Sequence, residues 1–225
     1  MFKRLFILFK IGRKIGTSGA LDTINKIYDI PIFVNLFMSL LSIGSGKKIL
    51  NENKRPGEKL CDALENMGTT FIKLGQFLAT RPDIIGKELA NDLEKLQDKL
   101  EPFGSEAAKK ILIKEIGEKQ FEHILDMSEP VAAASIAQVH YAKINIDNSE
   151  KNVAIKILRP NIEKIFNEEL DALMLMAYII ENSISKTKRL KLVEVVHLLR
   201  EITNIEMDLR FEAAAANELF ENTKY

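Results

Sequence analysis

Lys156 is the residue around which any chemistry in this chain is organised. It stands in Val153-Ala154-Ile155-Lys156-Ile157-Leu158, with apolar neighbours on both sides. An ammonium in such a run is costly to bury unless an acidic partner or an anionic ligand meets it. Upstream lie four small residues, Ala132, Ala133, Ala134 and Ser135, read as a loop before the first of two strands. Alanine keeps a Cβ and loses the positive-φ freedom of glycine, so such a loop closes over phosphates by its own backbone path. Two further sets of polar residues stand in apolar surroundings. Lys73 and Gln76, with Thr80, recur at i, i+3 and i+7 and form one stripe on a helix that is apolar nearly all round. Glu206, Asp208 and Glu212 stand together ahead of Ala213-Ala214-Ala215-Ala216. Asp208 and Glu212 share a face of a regular helix, and Glu206 does not. On a solvated helix Glu206 would pair with Arg210, but four small residues favour packing on a sheet.

The elements that must position these groups follow from period and punctuation. Val139, Tyr141, Ile144 and Ile146 form one strand, and Val153, Ile155 and Ile157 another. The polar run Asp147 to Lys151 closes the hairpin between them. Gly57 to Leu78 reads as helix, with Gly75 allowing close approach of another backbone. From Asp83 a further amphipathic helix carries Leu89, Leu93, Leu96 and Leu100 until Pro102 and Gly104 stop it. Ser105 is the expected N-cap of a helix over 106–116, which Gly117 closes. After Pro160, Ile165, Leu170, Leu173, Met174 and Ala177 form one apolar helical face. Ser183 to Arg189 reads as loop, and Leu192, Val195, Val196, Leu199 and Ile202 as a last amphipathic helix.

The formal net charge is zero, but it is unevenly spread. Residues 1–55 hold ten Lys/Arg against three Asp/Glu, so the remainder is acidic by the same margin. A basic arm ahead of an acidic body argues for a negatively charged surface partner. Phe2 to Ile15 mixes large apolar residues with Lys3, Arg4, Lys10, Arg13 and Lys14, which suits an interfacial helix on anionic lipid. The alternative is a helix docked on the body by its apolar side. Its longest apolar run, Leu5 to Phe9, is too short for a signal peptide. Ile30 to Ile43 is too short to span a bilayer and reads as a buried or interfacial helix. A single cysteine, Cys61, excludes an internal disulfide, and three scattered histidines give no zinc spacing. No metal-ligand set is assigned, and no nucleic-acid partner is expected.

The motifs that carry a resemblance are Lys73-Leu74-Gly75-Gln76, the alanine loop, Val153-Ala154-Ile155-Lys156, and Glu206-Met207-Asp208 followed by Glu212-Ala213. The third is the lysine strand of the protein-kinase signature. Together, over roughly residues 57–225, they resemble the UbiB/ADCK family of atypical kinases, in which an alanine-rich loop replaces the glycine-rich one and K-x-G-Q is a signature of its own. The resemblance implies an α+β, helix-dominant fold with a helical extension packed on a small kinase-like sheet. It divides the chain into a membrane-associating arm (1–55), a K-x-G-Q extension (56–120) and a kinase-like small lobe (121–225). It implies that Lys156 and the alanine loop bind ATP, that Glu212 pairs with Lys156, and that Lys73 and Gln76 project into the nucleotide pocket, facing the Glu206/Asp208 pair. It also implies Mg2+ and an atypical kinase or ATPase role in ubiquinone biosynthesis at the cytoplasmic face of a bacterial inner membrane, with biosynthetic proteins or quinone precursors as partners.

The sequence departs from the full kinase set. It contains no D-F-G and no H-x-D followed by the catalytic-loop asparagine. The expectation is that these residues are the N-terminal portion of the parent kinase, as a fragment or a natural truncation, without the large lobe or the family's C-terminal anchor. Such a portion would turn over no ATP by itself. The rival expectation is a non-catalytic module that binds lipid or a partner through its basic arm. No dinucleotide fingerprint supports a hydroxylase.

Overall fold

The computed structural model describes residues 2–18, 54–96 and 100–224. The Ile30–Ile43 stretch lies outside the described residues. The protein is α+β with helix dominant, and its sheet has three strands. Contacts divide the chain into two compact units, residues 1–97 with 164–202 and residues 98–163 with 203–225.

The first unit is helical. It contains α1 (Phe2–Ser18), α2 (Pro56–Met67), α3 (Thr69–Ala79), the short α4 (Pro82–Ile85) and α5 (Lys87–Leu93). Pro56 occupies the first turn of α2, where its missing N–H costs nothing. The Arg55 N–H donates to the Glu58 carboxylate at 3.1 Å, which completes the start of the helix. The sequence reads 57–78 as one helix. The structure breaks it at Gly68, whose φ of +99° an L residue rarely adopts. Likewise α4 and α5 are separate helices divided at Gly86, not one helix from Asp83. Leu60, Leu64, Met67, Phe71, Phe77 and Leu93 are buried where α2, α3 and α5 pack together. Gly75 lies against Leu96 and Leu64, and a Cβ there would stand 2.2 and 2.7 Å from their methyl groups. Cys61 is buried, and burial pushes its thiol up to about 11.

α1 docks on this unit through buried Ile11 and through Lys14, which donates to Glu169 at 2.7 Å. It leaves Phe6 and Phe9 exposed beside exposed Lys10 and Arg13. Most of α8 (Ile162–Ser183) and α9 (Leu192–Met207) also belongs here. Phe166, Leu170, Leu173, Val195, Val196 and Leu199 are buried, whereas Ile165, expected on the same face, is exposed. Glu181 accepts from the Val193 N–H at the start of α9, and Arg200 donates to Asp171. The segment between them is a 3-10 turn, Ser185–Leu190, rather than an irregular loop.

The second unit is built on the antiparallel sheet β1 (Ile124–Ala133), β2 (Ala137–Ile146) and β3 (Ser149–Leu158), in that order. Asp147 and Asn148 join β2 to β3 at φ values of 51° and 59°. Two consecutive positive φ values give the turn whose twist matches paired strands, and Asp and Asn tolerate them. β1 is absent from the sequence reading. It carries Asp126, Ser128, Glu129 and Pro130, and its pairing with β2 is irregular on both sides of Pro130. Proline is tolerated there because β1 is an edge strand. One sheet face is covered by α6 (Ser105–Ile116), where Ala108 and Leu112 pack with Ile157, Ile155 and Met127. Burying each such Leu or Ile side chain contributes about 1.5–3 kcal/mol. Gly104, not Ser105, is the N-cap of α6, and the Ser105 hydroxyl donates instead to Glu129. α7 (Glu118–Phe121) follows, and α10 (Leu209–Asn222) ends the unit.

Candidate functional site

The site is assembled on the sheet face opposite α6. Antiparallel pairing puts Ala132 across from Val139, and Val139 across from Lys156. Paired residues project to the same side, so these three form one row across the sheet, spanning about 10 Å from Ala132 to Lys156. Ile155 and Ile157, the neighbours of Lys156 along the strand, project to the other side and meet α6. Alternation therefore explains how a lysine stands among apolar residues. Its side chain is 35% exposed, so it is half-buried rather than enclosed.

Glu212, in the first turn of α10, reaches this lysine. The Lys156 ammonium donates to both carboxylate oxygens, at 2.8 and 2.6 Å. The helix itself does not pack as its alanines lead one to expect. Ala213 to Ala216 are exposed, and no residue of α10 is buried. Small residues permit close packing but do not supply the apolar area that drives it.

The acidic cluster is likewise not one regular helix. Asp208 lies between α9 and α10 with φ −87° and ψ 88°, and its carboxylate accepts from the Arg210 N–H as the N-cap of α10. Arg210 also donates to Asp208 through its guanidinium, at 2.8 and 2.6 Å, so its partner is Asp208 and not Glu206. That hydrogen bond holds the Asp208 carboxyl below the usual range. Glu206 is half-buried near the end of α9.

The alanine loop is shorter than its sequence suggests. Ala132 and Ala133 belong to β1, and the turn is Ala134-Ser135-Ile136. Ser135 is fully buried, backbone included, and Ala134 beside it is half-buried. Arg159 holds the turn in place. Its guanidinium donates twice to the Ala134 carbonyl, at 3.0 and 2.9 Å, and once to the Glu101 carbonyl at 3.0 Å. Its own N–H donates to the Ile136 carbonyl at 2.8 Å. Sequence reasoning misses this role, because an arginine just after a strand gives no sign of which carbonyls its fork will meet.

Gln138 and His140 are also missed. Both are fully buried, on the α6 side of the sheet. The Gln138 amide accepts from the Phe103 N–H at 2.9 Å and donates to the Phe103 carbonyl at 3.1 Å. It also lies 2.9 Å from His140 Nε2, while His140 Nδ1 lies 2.7 Å from the Ser128 carbonyl. An amide nitrogen only donates and a carbonyl only accepts, so the histidine carries its proton on Nδ1. In the helical unit, Lys73 and Gln76 on α3 are half-buried and Thr80 is exposed. Among the described residues no three His, Cys, Asp or Glu side chains cluster to hold a metal ion.

The ABC1 atypical kinase-like domain matches residues 95–225, more than half of the chain. The chain belongs to this family. A protein of Marinobacter nauticus described as "Probable protein kinase UbiB" is 42% identical over 171 residues, covering 74% of this chain and 31% of its own length. One from Vibrio atlanticus with the same description is 38% identical over 221 residues, covering 98% and 39%. A third, from Pseudomonas aeruginosa, is 38% identical over 172 residues, covering 74% and 31%. The chain thus spans between 31% and 39% of the length of these relatives. No solved structure matches. Lys156, Glu212, Glu206, Asp208 and the alanine turn all fall inside the matched ABC1 region, whereas Lys73 and Gln76 precede it.

Proposed function

We propose that this chain supplies nucleotide-binding machinery to an atypical kinase or ATPase that supports ubiquinone biosynthesis at the cytoplasmic face of a bacterial inner membrane. The observation that carries this is the Lys156–Glu212 pair on the sheet face not covered by α6, in one row with Ala132. A carboxylate that grips both sides of a strand ammonium fixes it for the phosphates of ATP. The half-buried backbone of Ala134 would approach those phosphates from the turn that Arg159 holds, with Ser135 buried behind it. Magnesium would supply charge neutralisation when bound. The described residues of this chain form no cluster for it. The family resemblance adds Lys73, Gln76, Glu206 and Asp208 to the same pocket, and they are part of the proposal.

Equilibrium binding of ATP to the purified chain tests the reading. Lys156→Met is expected to weaken binding at least tenfold, Glu212→Gln less, and Lys73→Ala to a measurable degree. Unchanged affinity in Lys156→Met would remove the lysine from the site.

A second reading, a non-catalytic lipid- or partner-binding module, is favoured by α1. Exposed Phe6 and Phe9 beside exposed Lys10 and Arg13 suit an anionic bilayer surface. No helix among the described residues is long and apolar enough to cross a membrane. Vesicle binding indifferent to Lys156→Ala, with no ATP bound, would select this reading.

A further inference from the structure

The turn between α8 and α9 concentrates positive charge without a matching acid. Lys186, Lys188, Arg189 and Lys191 fall within six residues, and the next acid is Glu194. Lys191 is occupied by Glu194 at 3.0 Å. Lys188 and Arg189 are exposed, and neither has an ion-pair partner among the described residues. Arg189 and Lys191 line a cavity of about 380 Å3 together with Arg81, Asp83, Glu194 and Leu198. Arg81 donates to both Asp83 carboxylate oxygens through Nε and one terminal nitrogen, so among the described residues Arg189 is the cation of that cavity left without an acid.

Charge is half of the pattern. Leu198 at the cavity is 39% exposed, and the end of α8 leading into the turn exposes Tyr178 and Ile179 by 60% and 51%. A charged turn solvated for its own sake has no use for an exposed leucine in the cavity it lines. Cations at headgroup level with apolar groups beside them are what a bilayer interface selects. A nucleic acid or an acidic protein would satisfy the cations and leave Leu198, Tyr178 and Ile179 unaccounted for.

We infer that the α8–α9 turn, with the cavity it shares with Arg81, is a docking site for the phosphate headgroups of an anionic lipid bilayer. It is distinct from α1, and it deepens the lipid part of the reading above by adding a second point of contact. Arg189 and Lys188 meet phosphate, and Leu198 reaches toward the acyl boundary.

The experiment is co-sedimentation of the full chain with vesicles of phosphatidylglycerol and phosphatidylcholine, and with vesicles of phosphatidylcholine alone. Lys188→Ala/Arg189→Ala is expected to lower binding to the anionic vesicles roughly 10- to 30-fold, at about 1 kcal/mol per basic residue near such a surface. Leu198→Ser lowers it less, and unfolding curves confirm that the variants are folded. The companion Lys10→Ala/Arg13→Ala tests α1 separately. If only the α1 variant loses binding, the turn is not a lipid site and the arm reading stands. If only the turn variant loses binding, the arm reading falls and this one stands. Equal binding to neutral and anionic vesicles overturns the inference. So does binding of an oligonucleotide through Lys188 and Arg189 by a chain that ignores vesicles.

Discussion

The two faces of the sheet treat polar groups in opposite ways. On the face under α6, Gln138 and His140 are fully buried, and their side chains bond to Phe103, to Ser128 and to each other. On the opposite face Lys156 and Glu212 meet where both remain partly exposed, beside an exposed Tyr141. The first arrangement is bound up with the fold, since a buried amide must keep its partners. The second is a charge held in position within reach of solvent. A ligand can replace water there at little cost to the fold, and it cannot on the covered face.

The largest expected effect therefore lies away from the candidate site. Gln138→Leu leaves the Phe103 N–H and carbonyl without their partner and takes a donor from His140. At 1–3 kcal/mol for each buried group left unsatisfied, the sheet unit should lose about 3 kcal/mol. Urea unfolding followed by circular dichroism measures it, and a loss below about 1 kcal/mol would show that the covered face tolerates a missing amide. Arg159→Met comes next, at about 2 kcal/mol, because three charge-assisted bonds to the Ala134 and Glu101 carbonyls disappear together. Arg159→Lys should recover only part of this, since a point charge cannot reproduce the fork. Equal stability of the Lys and Met variants would mean that the fork is dispensable.

This contrast also marks what sequence can convey. β2, β3 and their polar turn are legible because strand formers flank Asp147-Asn148, with Val139, Tyr141, Ile144 and Ile146 before it and Val153, Ile155 and Ile157 at period two after it. β1 is not, because Asp126, Glu129 and Pro130 describe an irregular edge rather than a period. Helix existence is legible through α2, α3 and α5, but the breaks at Gly68 and Gly86 are backbone decisions inside a continuous apolar pattern. The Asp208 break is hidden for the same reason, since a cap and a helix-interior aspartate read alike until the backbone turns. Lys156 and Glu212 stand 56 residues apart, and their meeting comes from the family resemblance, not from spacing. Contacts also place α6 with the sheet and most of α8 and α9 with α2, α3 and α5, a division that no composition shift announces.

Lys156→Met should cost less than about 1 kcal/mol, because both partners are more than a third exposed and water already screens them. The same urea titration reads it beside Gln138→Leu. A cost equal to that of Gln138→Leu would erase the distinction between the faces and make the pair a structural bridge.

The smallest effect is expected from an exposed charge contact in the other unit, and it appears only in acid. The Glu58 carboxyl is lowered from 4.5 to about 2, first by the Lys95 ammonium at 2.9 Å and then by the Arg55 N–H. A lowered pKa means that between pH 4.5 and 2 the unfolded chain binds more protons at this residue than the folded one. The contribution is complete above pH 4.5 and is lost as pH falls toward 2. Lys95→Met removes the leading cause, so the Glu58 titration in the folded chain, followed by carboxyl NMR, should move up toward its ordinary value. Stability near pH 7 should change little, as for other exposed pairs. The acid limb of the stability curve should flatten, because folded and unfolded chains then take up that proton at more nearly the same pH. A Glu58 titration unmoved by Lys95→Met would assign the lowering to the Arg55 N–H instead. The contact would then belong with the backbone-anchored groups of the covered face, and the boundary between built-in and exposed polar groups would run through the start of α2.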